Sequence, residues 1–207
     1  MAAVAISSAH APLLTFDVFK IIRTERSLVM DVFLERIYLE QVIEDCQMCI
    51  QSAQNLNHEL SHSREPFSCV IDLIHKAASL SRMFWPPKSF NKESTKRADS
   101  RGMHLRKSIG INENHVIKSR SIRDHLEHFD ERLDDWAENS THQNIIKKLI
   151  GSRSAVGGDI GNDDIIHHFD PQTLHYYFRG QGFNIQDIVI GIEDIQNRAI
   201  ARINVIK

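Results

Sequence analysis

The chain predicts a mainly α fold: an antiparallel bundle of four or five helices, with one late β-hairpin and a C-terminal helix. Three observations carry this. Apolar residues recur at steps of three and four through most of the long segments. Strand-like character is confined to Ile165–Phe169 and Leu174–Phe178, either side of Asp170-Pro171. Prolines fall between these segments, as do most of the glycines. The expected organisation is a helical bundle over 1–150. A flexible connector, the hairpin and a last helix follow over 151–207 and pack onto the bundle.

Residues 1–15 read as a loose leader, and the dense apolar run Phe16–Phe33 favours helix through its Glu, Arg, Leu and Met. Leu34–Asn57 is a helix with Leu39, Val42, Ile43, Cys46, Cys49 and Ile50 on one face, and the polar stretch 58–65 is a turn. Pro66 suits the first position of a second helix, carrying Phe67, Val70, Ile71, Ile74, Ala77, Ala78 and Met83. Trp85-Pro86-Pro87 ends it, because neither proline donates a backbone hydrogen bond. Lys92–Ile109 is a third helix interrupted by Gly102, and Gly110–Lys118 is a loop.

Ser119–Glu138 is a fourth helix, with Ile122, Leu126, Phe129, Leu133 and Trp136 forming a stripe that should bury one face. From Asn139 the chain turns polar. Gly151–Asp164, with four glycines, is a connector. It is no phosphate-binding loop, because no Gly-Lys-Ser/Thr ends it and no strand precedes it. Gly180 and Gly182 end the second strand, and Asn184 caps a last helix bearing Ile185, Ile188, Val189, Ile192, Ile195, Ala199 and Ile203.

A net charge of -2 gives no global attraction to polyanions, so any such site must be local. Three cysteines do not make a disulfide scaffold and point to a reducing, cytoplasmic setting. Cys46-x-x-Cys49 lies inside a helical stripe and reads as a pair of core thiols. No apolar run reaches the length of a membrane span. Glu59-Leu60-Ser61-His62 and Asp72-Leu73-Ile74-His75 each resemble half a carboxylate-bridged metal site. They lie too close together, across Pro66, for two facing helices, so no metal or other cofactor is expected.

The chemistry concentrates where the fourth helix leaves its stripe. Asp124 and His128 stand four residues apart on the far side, so the carboxylate can orient the imidazole and raise its basicity. Arg123 is permanently charged and forks onto phosphate oxygens. A proton carrier beside a fixed cation suits cleavage of a phosphodiester by its own 2′-hydroxyl, without a metal. DNA lacks that nucleophile, so the substrate would be RNA.

Arg123-Asp124-His125-Leu126-Glu127-His128, on a late helix of a small bundle, resembles the Arg-x4-His signature of the HEPN superfamily. The resemblance covers roughly residues 34–140. It implies an all-α bundle that pairs into a homodimer, with two motif helices facing each other across one cleft. It also implies a metal-independent endoribonuclease, often a toxin or defence protein, with a cognate antitoxin or a nucleotidyltransferase as partner. Arg123 and His128 would be catalytic and Asp124 their polar support. The alternative is a non-catalytic homodimeric helical interaction module.

Between Lys88 and Arg123 stand ten basic residues against three acidic ones, a stretch able to guide a phosphate backbone through Arg97, Arg101, Arg106 and Arg120. Asp124–Glu138 carries seven acids and one Arg, so the two runs can equally neutralise one another, within a monomer or across a dimer. Tyr176, Tyr177 and Phe178 can stack bases, but packing of the hairpin on the bundle is the stronger expectation.

Overall fold

The computed structural model describes residues 30–62, 64–119, 129–141, 143–158 and 160–206. The expectations for 1–29 therefore lie outside the described residues. So does most of the motif segment. Among the described residues the fold is mainly helical, with five helices and one small four-stranded sheet. No helix described is long and apolar enough to cross a membrane.

Helix α1 (Val32–Ser61) starts at Asp31, whose side chain accepts from the Leu34 amide at 2.8 Å. It runs four residues past Asn57, so the expected turn at 58–65 is shorter than its polarity suggested. Polar residues continue a helix readily when their side chains face solvent, and His58 and Ser61 do so here. Pro66 is the N-cap of α2 (Phe67–Phe84) rather than its first helical residue, and Trp85 closes the helix before the two prolines. Asn91 caps α3 (Lys92–Ser108), accepting from the amides of Glu93 and Ser94.

Gly102 does not interrupt α3. A Cβ there would strike the Phe84 carbonyl oxygen and the Pro86 ring, so the glycine serves the close approach of α3 to the end of α2. After a 3₁₀ turn at Val116–Lys118, the next described helix is α4 (Phe129–Asn139), within the range expected for the fourth helix. The last helix, α5 (Ile185–Val205), begins at Asn184 as expected, the Asn side chain accepting from the Asp187 amide at 3.1 Å.

The late hairpin is present but is half of a larger sheet. Its order is β1 (Ile146–Ile150), β2 (Ile165–Asp170), β3 (His175–Phe178) and β4 (Gln181–Asn184). β1 runs parallel to β2, and the other two pairs are antiparallel. Two expectations need correcting. A strand does precede the Gly-rich connector, although the connector still lacks the Gly-Lys-Ser/Thr that phosphate binding would need. Gly182 lies inside β4 rather than ending a strand. Arg179 and Gly180, with φ of 46° and 80°, form the two-residue turn between β3 and β4, the geometry that matches strand twist.

One core joins these parts. α1 packs against both α2 and α5. Leu39, Val42, Leu73, Ile74, Phe84, Ile192 and Ile195 meet Phe169, Tyr176, Phe178 and Phe183 from the sheet. Tyr176 and Phe178 therefore pack, as the stronger of the two expectations held. Cys46 and Cys49 are buried thiols, and burial pushes Cys49 up to about 12, so neither ionises near neutral pH. The Glu35 carboxylate, 3% exposed, ties three helices: Arg202 donates to it at 2.7 and 3.3 Å, and His104 Nε2 lies 3.1 Å away.

Candidate functional site

Arg120, Arg123, Asp124, His125 and His128 lie outside the described residues. What is described is the helix that follows them in the chain, Phe129–Asn139. The sequence stripe predicted a buried face, yet none of the α4 residues is buried; Phe129 is 41% and Leu133 37% exposed. Of the stripe residues described, Phe129 lies against His167 and Phe178 of the sheet and Trp136 against Asp164.

Polar contacts fix α4 in that position. Trp136 Nε1 donates to Asp164 Oδ1 at 2.8 Å, and Ser140 Oγ donates to the same oxygen at 2.9 Å. The other Asp164 oxygen accepts from the Gly161 amide at 2.9 Å, so one buried carboxylate links helix and connector. From the turn between β3 and β4, Arg179 donates to the Arg132 carbonyl and to Asp135 at 3.0 Å. That guanidinium, with an Asn139 bond, holds the Asp135 carboxyl below the usual carboxylate range.

At its N-terminal end α4 meets an imidazole. The Phe129 ring stacks on that of His167 on β2, with centroids 6.1 Å apart and planes within 4° of parallel. Phe67 and Phe178 approach the same imidazole edge-on, at 6.4 and 5.4 Å. His167 Nδ1 is 2.8 Å from the hydroxyl of Tyr176, a side chain 1% exposed. Burial keeps that phenol protonated by raising its pKa. Burial also lowers the His167 pKa, helped by the positive charge of Lys148 and by His75. Lys148 stands over the Phe67 ring at 5.3 Å and 3.8 Å from Glu65. Period-two alternation in Ile165-Ile166-His167-His168-Phe169 marks His167 as sharing a face with Phe169. The sequence gives no sign that Phe129 would reach it.

The basic run is partly engaged. Arg106 donates to the Phe84 carbonyl, pairs with Glu113 at 2.9 Å and lies 5.6 Å over the Trp85 ring. Arg101 donates to the Arg82 carbonyl at 3.4 Å and covers the Tyr38 ring. Arg97 pairs with Glu93 one turn earlier on α3, at 3.4 Å. Lys92, Lys96 and Lys107 are exposed on the same helix. Among the described residues no ion pair joins α3 to the acidic surface of α4, where Glu131, Asp134, Asp135 and Glu138 line a shallow depression.

On the outer sheet face a pocket of about 280 Å³ is lined by Ser152, Arg153, Asn162, His168, Asp170 and Tyr177. Its Arg153 is committed to the connector, donating to Asn162 Oδ1 at 2.9 Å and to the Val156 and Ile160 carbonyls. His168 stacks on Tyr177 at 4.9 Å and meets the Gly151 carbonyl at 2.7 Å. Among the described residues no group of three or more His, Cys, Asp or Glu is arranged to hold a metal ion. Asp72 instead serves a helix contact with Lys76 and Ser52, and His62 turns back to the His58 carbonyl. No family model matches the chain, and neither a curated protein nor a solved structure matches it.

Proposed function

We propose that the chain is a metal-independent endoribonuclease of the HEPN kind, in which Arg123 and His128 act on RNA and Asp124 supports the histidine. The supporting observation is the seat of Phe129, the residue directly after His128. It rests on a half-buried imidazole with a cation nearby, rather than in the helical core. The described helix that continues from the motif lies on the surface, over such a cluster, which fits a motif open to a phosphodiester. The exposed lysines of α3 fit a supplementary role in guiding the RNA backbone.

The same reading carries an antiparallel-bundle core over 1–150, a homodimer with two motif helices across one cleft, and a cytoplasmic toxin or defence role. An antitoxin or a nucleotidyltransferase would be the partner. Incubating the purified protein with bulk RNA in EDTA tests it. Cleavage leaving 2′,3′-cyclic phosphate ends is expected, and His128→Ala should lower the rate roughly 10²–10⁴-fold while the variant stays folded. A clean, folded wild type that leaves RNA intact overturns the reading.

A non-catalytic homodimeric interaction module is the second reading. Exposed Phe33, Ile37 and Met48 on one side of α1 favour it, since they give a helix face suited to a second copy. Inert RNA together with a sedimentation mass of two chains would select this alternative.

A further inference from the structure

We infer that the pocket on the outer sheet face is a binding site for a free amino acid, a small molecule bearing both an ammonium and a carboxylate. The inference goes beyond the nuclease reading and does not rest on it.

The first observation is a buried acceptor that has nothing to accept from. His168 is 6% exposed, and its Nε2 lies 2.7 Å from the Gly151 carbonyl oxygen, so that nitrogen carries the ring hydrogen. The lone pair then falls on Nδ1, which has no hydrogen-bond partner among the described residues. An unmet acceptor on so buried a ring is costly unless a donor occupies the space beside it. That space is the pocket, which His168 lines.

The same face of β2 carries a further acceptor. Asp170 stands two residues along from His168, roughly 7 Å at the rise of a strand. Its Oδ1 accepts from the Gln172 amide at 3.0 Å, and Oδ2 has no partner among the described residues. Tyr177 faces His168 across the ladder, and its hydroxyl is likewise unpaired among the described residues. An ammonium offers three N–H donors to such a set of acceptors.

The connector brings a fixed positive charge to the same pocket. Arg153 spends three of its five N–H groups on Asn162, Val156 and Ile160, which pins the guanidinium and leaves two donors. Asn162 gives Oδ1 to that contact, and its Nδ2 has no bond among the described residues. A pinned guanidinium beside an amide donor suits a carboxylate. The charges of Asp170 and Arg153 cancel, so the molecule that fits carries both signs and no net charge. A volume of about 280 Å³ falls below the roughly 300–1,000 Å³ of sites for drug-sized ligands, which suits a molecule of amino-acid size.

The test titrates each standard free L-amino acid, in an amine-free buffer, into the ¹⁵N-labelled full chain. At least one should shift the amides of Ser152, Tyr177 and Gly180 saturably. The matching α-hydroxy acid, which lacks the ammonium, and the matching amine, which lacks the carboxylate, should each bind roughly tenfold or more weakly. Asp170→Asn, which keeps the bond from the Gln172 amide, should weaken binding by a similar factor. Absence of a saturable shift with every amino acid up to about 10 mM overturns the inference. Equal binding of the hydroxy acid shows an anion site only, equal binding of the amine a cation site only, and either overturns it. So does unchanged affinity in Asp170→Asn. Should that variant unfold, the two analogues decide on the wild type alone.

Discussion

Helices α1 and α4 are both amphipathic in sequence, yet the molecule holds them by different means. Along α1 eight residues are buried, including Leu39, Val42, Cys46 and Leu56, and α2 and α5 cover two of its sides. Along α4 none is buried, and the helix is held by one indole, one guanidinium and the Phe129 ring. Dispersion and apolar burial fix the first, so its loss unfolds the domain. A few directional contacts fix the second, so its loss loosens one element at low cost. Global stability and the seating of α4 therefore rest on different kinds of contact.

The largest expected effect breaks the α1 side. Leu73→Ala, at a side chain fully buried between helices, should cost about 3 kcal/mol in urea unfolding, with both regions melting together. Glu35→Gln comes next. Arg202 holds the Glu35 carboxyl below the usual carboxylate range, so the pair stabilises at neutral pH. That contribution fades as pH falls below about 4, where the unfolded carboxyl takes up its proton, and is gone beneath the lowered native pKa. The variant should lose about 2 kcal/mol at pH 7, a figure kept low because solvent reaches Arg202, and should converge on the wild type in acid. Thermal melts across that pH range check it.

The smallest effect sharpens the α4 side. Trp136→Phe removes the 2.8 Å bond to Asp164 and should cost about 1 kcal/mol. Hydrogen exchange at α4 amides should quicken roughly fivefold while the core amides of α1 keep their protection. If α1 amides quicken equally, the two regions form one cooperative unit and the comparison fails.

Element type and order were legible wherever apolar spacing was long and periodic. Asn184 starts its helix as a side-chain cap does, and Trp85-Pro86-Pro87 stops α2 as missing amide donors require; the cap at Asn91 was not read. Strand β1 was not legible, because Ile146-Lys147-Lys148-Leu149-Ile150 does not alternate; its partner β2 lies beyond the connector. β4 was missed because Arg179-Gly180 is not one of the dipeptides that announce a tight hairpin. Of the proposed site, the motif residues were visible as a pattern of charge off the stripe. The stacking of Phe129 on His167 was not visible, because the two residues are 38 positions apart in the sequence.

By itself the sequence determined most of the described helices, the Asn184 cap, the stop at Trp85-Pro86-Pro87 and the antiparallel pair around Asp170-Pro171. These depend on local backbone chemistry and on periods of 3.6 and 2. Tertiary structure alone decided that no residue of α4 is buried, that Glu35 pairs with a residue 167 positions away, and that Phe129 rests on His167. Such contacts follow from which surfaces remain uncovered once the largest apolar faces have met. No local period records that outcome.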